Sequence, residues 1–276
     1  MPLPTPLALL WWFAIGACIG SFLNVCIYRL PKDQSIVKPR SRCPGCERMI
    51  AWHDNVPLLS YLVLRAKCRH CKAPISWRYP VVEALTGALT VAIVSRFGAG
   101  AVGWAYLLFV WTLIVISFID LEYRIIPNIL SIGGLILGWI ISPLVPQLHG
   151  TTEPLVAAAR ACFGSLIGCS ILYLTASIGS FMFQKEAMGL GDVDLLAMAG
   201  AFLGWKLVVF TFFAAPMLAL APGIIVLLRK QSHEIPYGPF LSMGLVLAMF
   251  AAEPILYASG LEESARWIWA VYSQPR

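Results

Sequence analysis

Residues 101–123 read AVGWAYLLFVWTLIVISFIDLEY. Nineteen uncharged residues run up to Asp120, close to the roughly 20 that a helix needs to cross a bilayer. The stretch reads as a membrane helix with an acid at its end. The whole chain agrees: of 276 residues, 59% are hydrophobic and 12% charged, and the mean hydropathy is +0.78. A soluble domain has too little interior to hide that much apolar surface, so an integral membrane protein is expected. The net charge of +6 then reports topology, and nucleic-acid binding is not expected.

Working outward, apolar stretches occur at about 7–28, 79–97, 101–121, 127–146, 155–182, 206–228 and 238–257. A shorter one, 193–204, ends at Gly204-Trp205 and fits a half-length or tilted span. The expected fold is an all-α polytopic membrane protein with about eight transmembrane helices. The first stretch lacks a basic start and a small-residue cleavage site, so it is expected to stay as a membrane helix. No internal repeat is visible.

Eleven of the twenty Lys and Arg residues lie between Arg29 and Arg78, which makes this segment the natural cytoplasmic loop. Alternating from there puts Arg124, Lys185, Arg229 and Lys230 on the same side. Arg96, Arg160, Lys206, Arg266 and Arg276 fall outside. Both termini are then periplasmic, and Trp267 and Trp269 suit an interfacial anchor. The expected division is a first helix over 1–30, the loop over 31–78, a membrane core over 79–260 and an interfacial tail over 261–276.

The loop carries Cys43-x-x-Cys46 and, 21 residues on, Cys68-x-x-Cys71. Two such pairs match a four-thiolate zinc site. A loop with little core of its own draws fold energy from a metal, and four thiolates leave no open position for hydrolysis. A redox dithiol is the competing account. His70 lies inside the second knuckle and is expected to be exposed. Cys18, Cys26, Cys162 and Cys169 sit in apolar stretches as small hydrophobes.

Asp192 lies in MGLGDVDLLAM, residues 188–198. With alternating topology it reaches the same membrane edge as Asp120. Gly189 and Gly191 let backbone approach another chain closely. Two close carboxyls in a poorly solvated site can share the work of general base and acid. On residue chemistry alone a second reading stands beside this one. Asp192 would cap a helix and Asp120 would pair with Arg124 at the interface. Glu122 and Asp194 are expected at the solvated edge, with Arg124 or Lys185 as counter-charges. An ion-coupled transporter using the two acids, and a non-enzymatic zinc-loop scaffold, are the alternatives from other classes.

GLGD at 189–192 with DLEYRIIPN after Ile119 resembles the type IV prepilin peptidase family of intramembrane aspartic proteases. GSFLNVCIYRLP at 20–31, CPGC, CRHC, ISWRYPVVEALTG at 75–87 and PYGPFLSMG at 236–244 follow in the family's order. The resemblance implies that Asp120 and Asp192 form the catalytic dyad. It implies cleavage of the short leader of type IV prepilins or secretion pseudopilins after Gly, at the cytoplasmic face of the inner membrane. It also implies N-methylation of the new N-terminal residue, usually Phe, with S-adenosylmethionine. Gly189, Gly191, Pro236, Tyr237, Gly238 and Pro239 are expected to line the active site. Asn24, Arg29, Arg78, Tyr79 and Glu83 are available to the methyl donor, with Ser21 beside them. Glu83 would hold the donor's cationic portion or pair with Arg29 or Arg78. Two departures stand out: Asp194 where members usually carry Lys, and Asn128 where Asp is frequent. A preflagellin-type peptidase without methyltransferase activity is the runner-up within the class.

Overall fold

The computed structural model describes residues 5–185, 188–228 and 236–258. Arg229, Lys230, Ile235, Trp267, Trp269 and the expected C-terminal anchor lie outside the described residues. Eight α-helices follow in order: α1 (Pro6–Arg29), α2 (Leu59–Val63), α3 (Arg78–Phe97), α4 (Ala101–Tyr123), α5 (Asn128–Leu144), α6 (Pro154–Phe183), α7 (Leu190–Leu228) and α8 (Gly238–Ala258). Among the described residues there are no strands, only two isolated bridges in the 31–77 loop, Arg42 to Met49 and Lys67 to Pro74.

Helix α7 breaks at Gly204, whose φ of 74° and ψ of 171° are not helical. The break separates arms 190–203 and 205–228, so α1, α3, α4, α5, α6, the two arms of α7 and α8 make eight apolar helices. Five elements, α1, α3, α4, α6 and α7, are long and apolar enough to cross a membrane, and α5 and α8 are shorter apolar helices. Their bounds fall within a few residues of those read from hydropathy.

Helix α4 is apolar all the way round, the pattern of a helix buried on every side. It is the centre of the bundle, in contact with α1 and α3 on one flank and α5, α7 and α8 on the other. Phe109 stacks on Phe202 at 5.0 Å between ring centroids, joining α4 to α7. Without a hydrophobic drive between helices in lipid, small residues set the crossings. A Cβ on Gly16 would lie 2.6 Å from Thr90 Oγ1, and one on Gly20 would lie 2.8 Å from the Cα of Glu83. Helix α1 therefore packs closely through these glycines against α3. Gly164 and Gly200 serve the α6–α7 crossing in the same way: a Cβ on either would lie within 2.4 Å of the other's carbonyl oxygen.

Candidate active site

The last turn of α4 carries Asp120, and the first turn of α7 carries Asp192. Both side chains are buried, at 6% and 9% exposure, in helices too apolar to place acids there for solubility. Three contacts bring the elements together. The Gly238 N–H donates to Asp120 Oδ2 at 3.0 Å. A Cβ on Gly238 would meet that oxygen at 2.8 Å and the tip of Ile126 at 3.3 Å. A Cβ on Gly191 would lie 2.8 Å from Ile126 Cβ. Ile126 is thus wedged between Gly191, next to Asp192, and Gly238, which holds Asp120.

The two carboxylates are satisfied differently. Asp120 keeps its bond to Gly238, while Asp192 Oδ1 is buried without a hydrogen-bond partner among the described residues. That orphan counts against a capping role through Oδ1, because a capping carboxylate accepts from the first-turn N–H groups. Arg124 ends α4 in a left-handed conformation, φ 56°, and its N–H bonds the Asp120 carbonyl at 2.9 Å. Burial, and then the Asp192 charge, push the Tyr237 hydroxyl up to about 12. Tyr237 is half-buried beside the pair, Gly238 and Pro239 are buried, and Pro236 is half-buried. A Cβ on Gly189 would meet nothing within 4 Å, so this glycine borders open space. Asp194 is half-buried, two residues along α7.

The expected partners of two other acids need correction. Glu122 pairs with Arg78 through both carboxylate oxygens at 2.5 Å, not with Arg124 or Lys185. Glu83 pairs with neither Arg29 nor Arg78; its Oε2 accepts the Leu58 N–H at 2.8 Å. Arg29 instead donates to the Ser35 carbonyl at 2.8 Å and the Pro39 carbonyl at 2.7 Å. Asp54 in the loop is held by Arg69. The Arg69 guanidinium keeps its carboxyl below the usual range.

The loop folds as two matching knuckles. The Cys43 N–H bonds the Arg48 carbonyl at 3.0 Å, and the Cys68 N–H bonds the Ala73 carbonyl at 2.8 Å. In each knuckle the fifth residue, Glu47 or Lys72, is left-handed, with φ of 55° and 60°. The turns aim four sulfurs inward: Cys43, Cys46, Cys68 and Cys71 have Sγ atoms all within 4.8 Å of one another. Cys43 and Cys71 Sγ lie 3.7 Å apart. Tetrahedral coordination with metal–sulfur bonds of about 2.3 Å requires about 3.8 Å between sulfurs, so the cluster has the size of a thiolate metal site. N–H groups of Cys71 and His70 pull the Cys68 thiol down to about 6, while burial and the neighbouring sulfurs hold the Cys71 thiol up at about 11. His70 is exposed, its Nδ1 at 3.2 Å from Arg48, and is not part of the cluster.

Between the knuckles and the ends of α1, α3 and α4 lies a cavity of about 1070 Å³. Asn24, Arg29, Arg78, Tyr79 and Glu83 all line it, as do Ser21 and Glu122; neither Asp120 nor Asp192 does. Among the described residues two lining atoms are buried without partners, Asn24 Oδ1 and Arg78 Nε, one acceptor and one donor.

Fold and site together define a polytopic helical membrane protein with a buried carboxylate pair at one end of its bundle and a four-thiolate loop. Residues 14–97 match the Bacterial Peptidase A24 N-terminal domain and residues 107–224 match the Type IV leader peptidase family. The chain is 42% identical over 229 residues to a prepilin leader peptidase/N-methyltransferase of Myxococcus xanthus, covering 81% of this chain and 64% of that protein. The relative of the same name from Aeromonas hydrophila is 34% identical over 88% of this chain and 90% of its own length. The one from Pseudomonas aeruginosa is 32% identical over 87% and 89%. No solved structure matches the chain. The chain belongs to the type IV leader peptidase family.

Proposed function

We propose that this protein cleaves the leader from prepilins or pseudopilins after Gly and then N-methylates the new N-terminus with S-adenosylmethionine. The observation that carries the proposal is the convergence of Asp120 and Asp192 around Ile126, with one carboxylate held and the other left with a free buried oxygen. The Gly238 N–H orients Asp120. Asp192 Oδ1 is the atom available to a water or to the scissile peptide. One carboxylate takes the proton of the attacking water and the other protonates the leaving amine. Pro236, Tyr237, Gly238 and Pro239, with Gly189 and Gly191, border the substrate. The transporter reading is less well supported: the acids lie at one end of the bundle, and the relatives carry enzyme names.

The loop cysteines would hold Zn²⁺ in a closed, structural site. Asn24, Arg29, Arg78, Tyr79 and Glu83 would hold S-adenosylmethionine, with Asn24 Oδ1 and Arg78 Nε as its unmet hydrogen-bonding partners. Bound there, the donor supplies an electrophilic methyl group; the chain's residues bind and orient it. With fifteen of the twenty basic residues on the loop side, we place the dyad and the loop on the cytoplasmic face of an inner membrane. The proposed units remain the helix over 1–30, the loop over 31–78 and the core from 79 onward.

The test uses purified protein in detergent with a synthetic prepilin. Leader loss and the mass gain of one methyl group are followed for the wild type, Asp120→Asn and Asp192→Asn. Cleavage by the wild type and loss in each variant supports the dyad. Persistence of cleavage in either variant overturns it.

A further inference from the structure

A hydroxyl inside an apolar helix can meet the carbonyl four residues back in its own helix. In this bundle Thr86, Thr90, Ser117, Ser142, Ser165 and Thr211 do so, at 2.6 to 2.9 Å. Ser242 does not. It is 4% exposed in α8, and its Oγ is buried with no hydrogen-bond partner among the described residues. A buried hydroxyl left unmet costs stability. The one other such hydroxyl among the described residues is Ser131 of α5, three residues before Gly134, which packs on Met198 of α7.

The register of α8 places Ser242 beneath the carboxylate pair. Ser242 follows Gly238 by four residues and so shares its face, and Gly238 is the residue that bonds Asp120. Helix α8 starts where α4 ends and packs along it. Four residues on, Ser242 lies about 6 Å further into the bundle. A helical side chain leans toward the start of its own helix. The Ser242 hydroxyl is thereby aimed back at the Asp120–Gly238 bond. Its neighbours along this side of α8, Leu241 and Leu245, are fully buried and bring no polar side-chain atom. The other unmet oxygen at this end of the bundle is Asp192 Oδ1.

We propose that Ser242 positions the attacking water of leader cleavage by holding the hydrogen that the carboxylate does not take. The proposal rests on the reading of Asp120 and Asp192 as a proteolytic pair. A water that gives one hydrogen to a carboxylate needs an acceptor for the other if a lone pair is to face the scissile carbonyl, and a hydroxyl oxygen is such an acceptor. Ser242 exchanges no proton. The water oxygen bonds the carbonyl carbon and one water proton passes to the carboxylate. The second proton stays on that oxygen, hydrogen-bonded to Ser242 Oγ.

The test uses the full-length protein in detergent with a synthetic prepilin and two uncleavable analogues of it. One analogue replaces the scissile peptide bond by a hydroxyethylene group, whose hydroxyl stands where the attacking water would. The other has a plain ethylene group there. In Ser242→Ala, kcat for leader loss is expected to fall about 10- to 100-fold with KM unchanged. The affinity that the wild type gains from the analogue's hydroxyl is expected to shrink about tenfold in the same variant. The unfolding temperature should not fall, because an unmet hydroxyl has been removed. An unchanged kcat, an unchanged preference for the hydroxyl, or a loss of rate that tracks a lower unfolding temperature overturns the role of Ser242. A wild type that neither cleaves nor prefers the hydroxyl strikes the proteolytic reading itself, and Ser242 with it.

Discussion

Gly238 donates its backbone N–H to Oδ2 of Asp120 at 3.0 Å, across 118 residues of sequence. The start of α8 therefore orients one member of the carboxylate pair, and only a residue without a side chain fits there. In Gly238→Ala the new Cβ would lie 2.8 Å from the carboxylate oxygen and displace it. Misplacing a reacting group by about 1 Å costs on the order of 10²-fold in rate. Prepilin cleavage should fall by about that factor while bound metal per chain stays unchanged, measured by mass spectrometry and elemental analysis.

Tyr237 beside the pair is predicted to stay protonated through the working range, because its hydroxyl is pushed up to about 12 against about 10 in an unfolded chain. A group with a raised folded pKa contributes stability that is complete below the unfolded value. That contribution is lost as pH rises from about 10 toward 12. The wild type should thus show an alkaline loss of stability in that window, reduced in Tyr237→Phe. Cleavage by the wild type should show no basic limb from this residue below pH 10.

Removing the proposed metal should separate the two activities. The knuckles line the cavity but not the dyad. In Cys43→Ser, or after chelation, methyl transfer should be lost while leader cleavage persists, followed as two mass changes on one peptide.

Glu83→Leu removes the acceptor of the Leu58 N–H; an unmet buried donor costs about 1–3 kcal/mol. Hydrogen exchange at Leu58 should speed up in this variant, and Glu83→Gln, which keeps an acceptor oxygen, should restore protection. If exchange at Leu58 is the same in Glu83→Leu as in the wild type, Glu83 does not anchor the loop.

The helices were legible because apolar runs of membrane length leave few alternatives, and even the break at Gly204 shows as a Gly-Trp step between two stretches. The four cysteines carry their own spacing rule. The partners of Glu83 and Glu122 were not legible, for different reasons. Glu83 is met by a backbone N–H of an irregular loop, a donor every residue possesses, so no side-chain pattern marks it. Glu122 is met by Arg78 from a helix 44 residues earlier, and charge sign alone did not favour that arginine over the nearer Arg124. Gly238 was readable as part of PYGPFLSMG, but its hydrogen bond to Asp120 depends on the approach of α8 to α4. Helix α2 was hidden because so short a segment carries too little periodicity to stand out.

The last turn of α4 has one acid facing each of two compartments: Asp120 toward the carboxylate pair, and Glu122 toward the cavity. A partition one helix thick, about 10 Å with side chains, separates the proposed place of cutting from the proposed place of methylation. A freshly trimmed pilin end would have only that width to travel, and its hydrophobic stem could remain in the bilayer throughout. The two products would then emerge in a fixed sequence by sideways drift of one chain, with no need for release and recapture between steps.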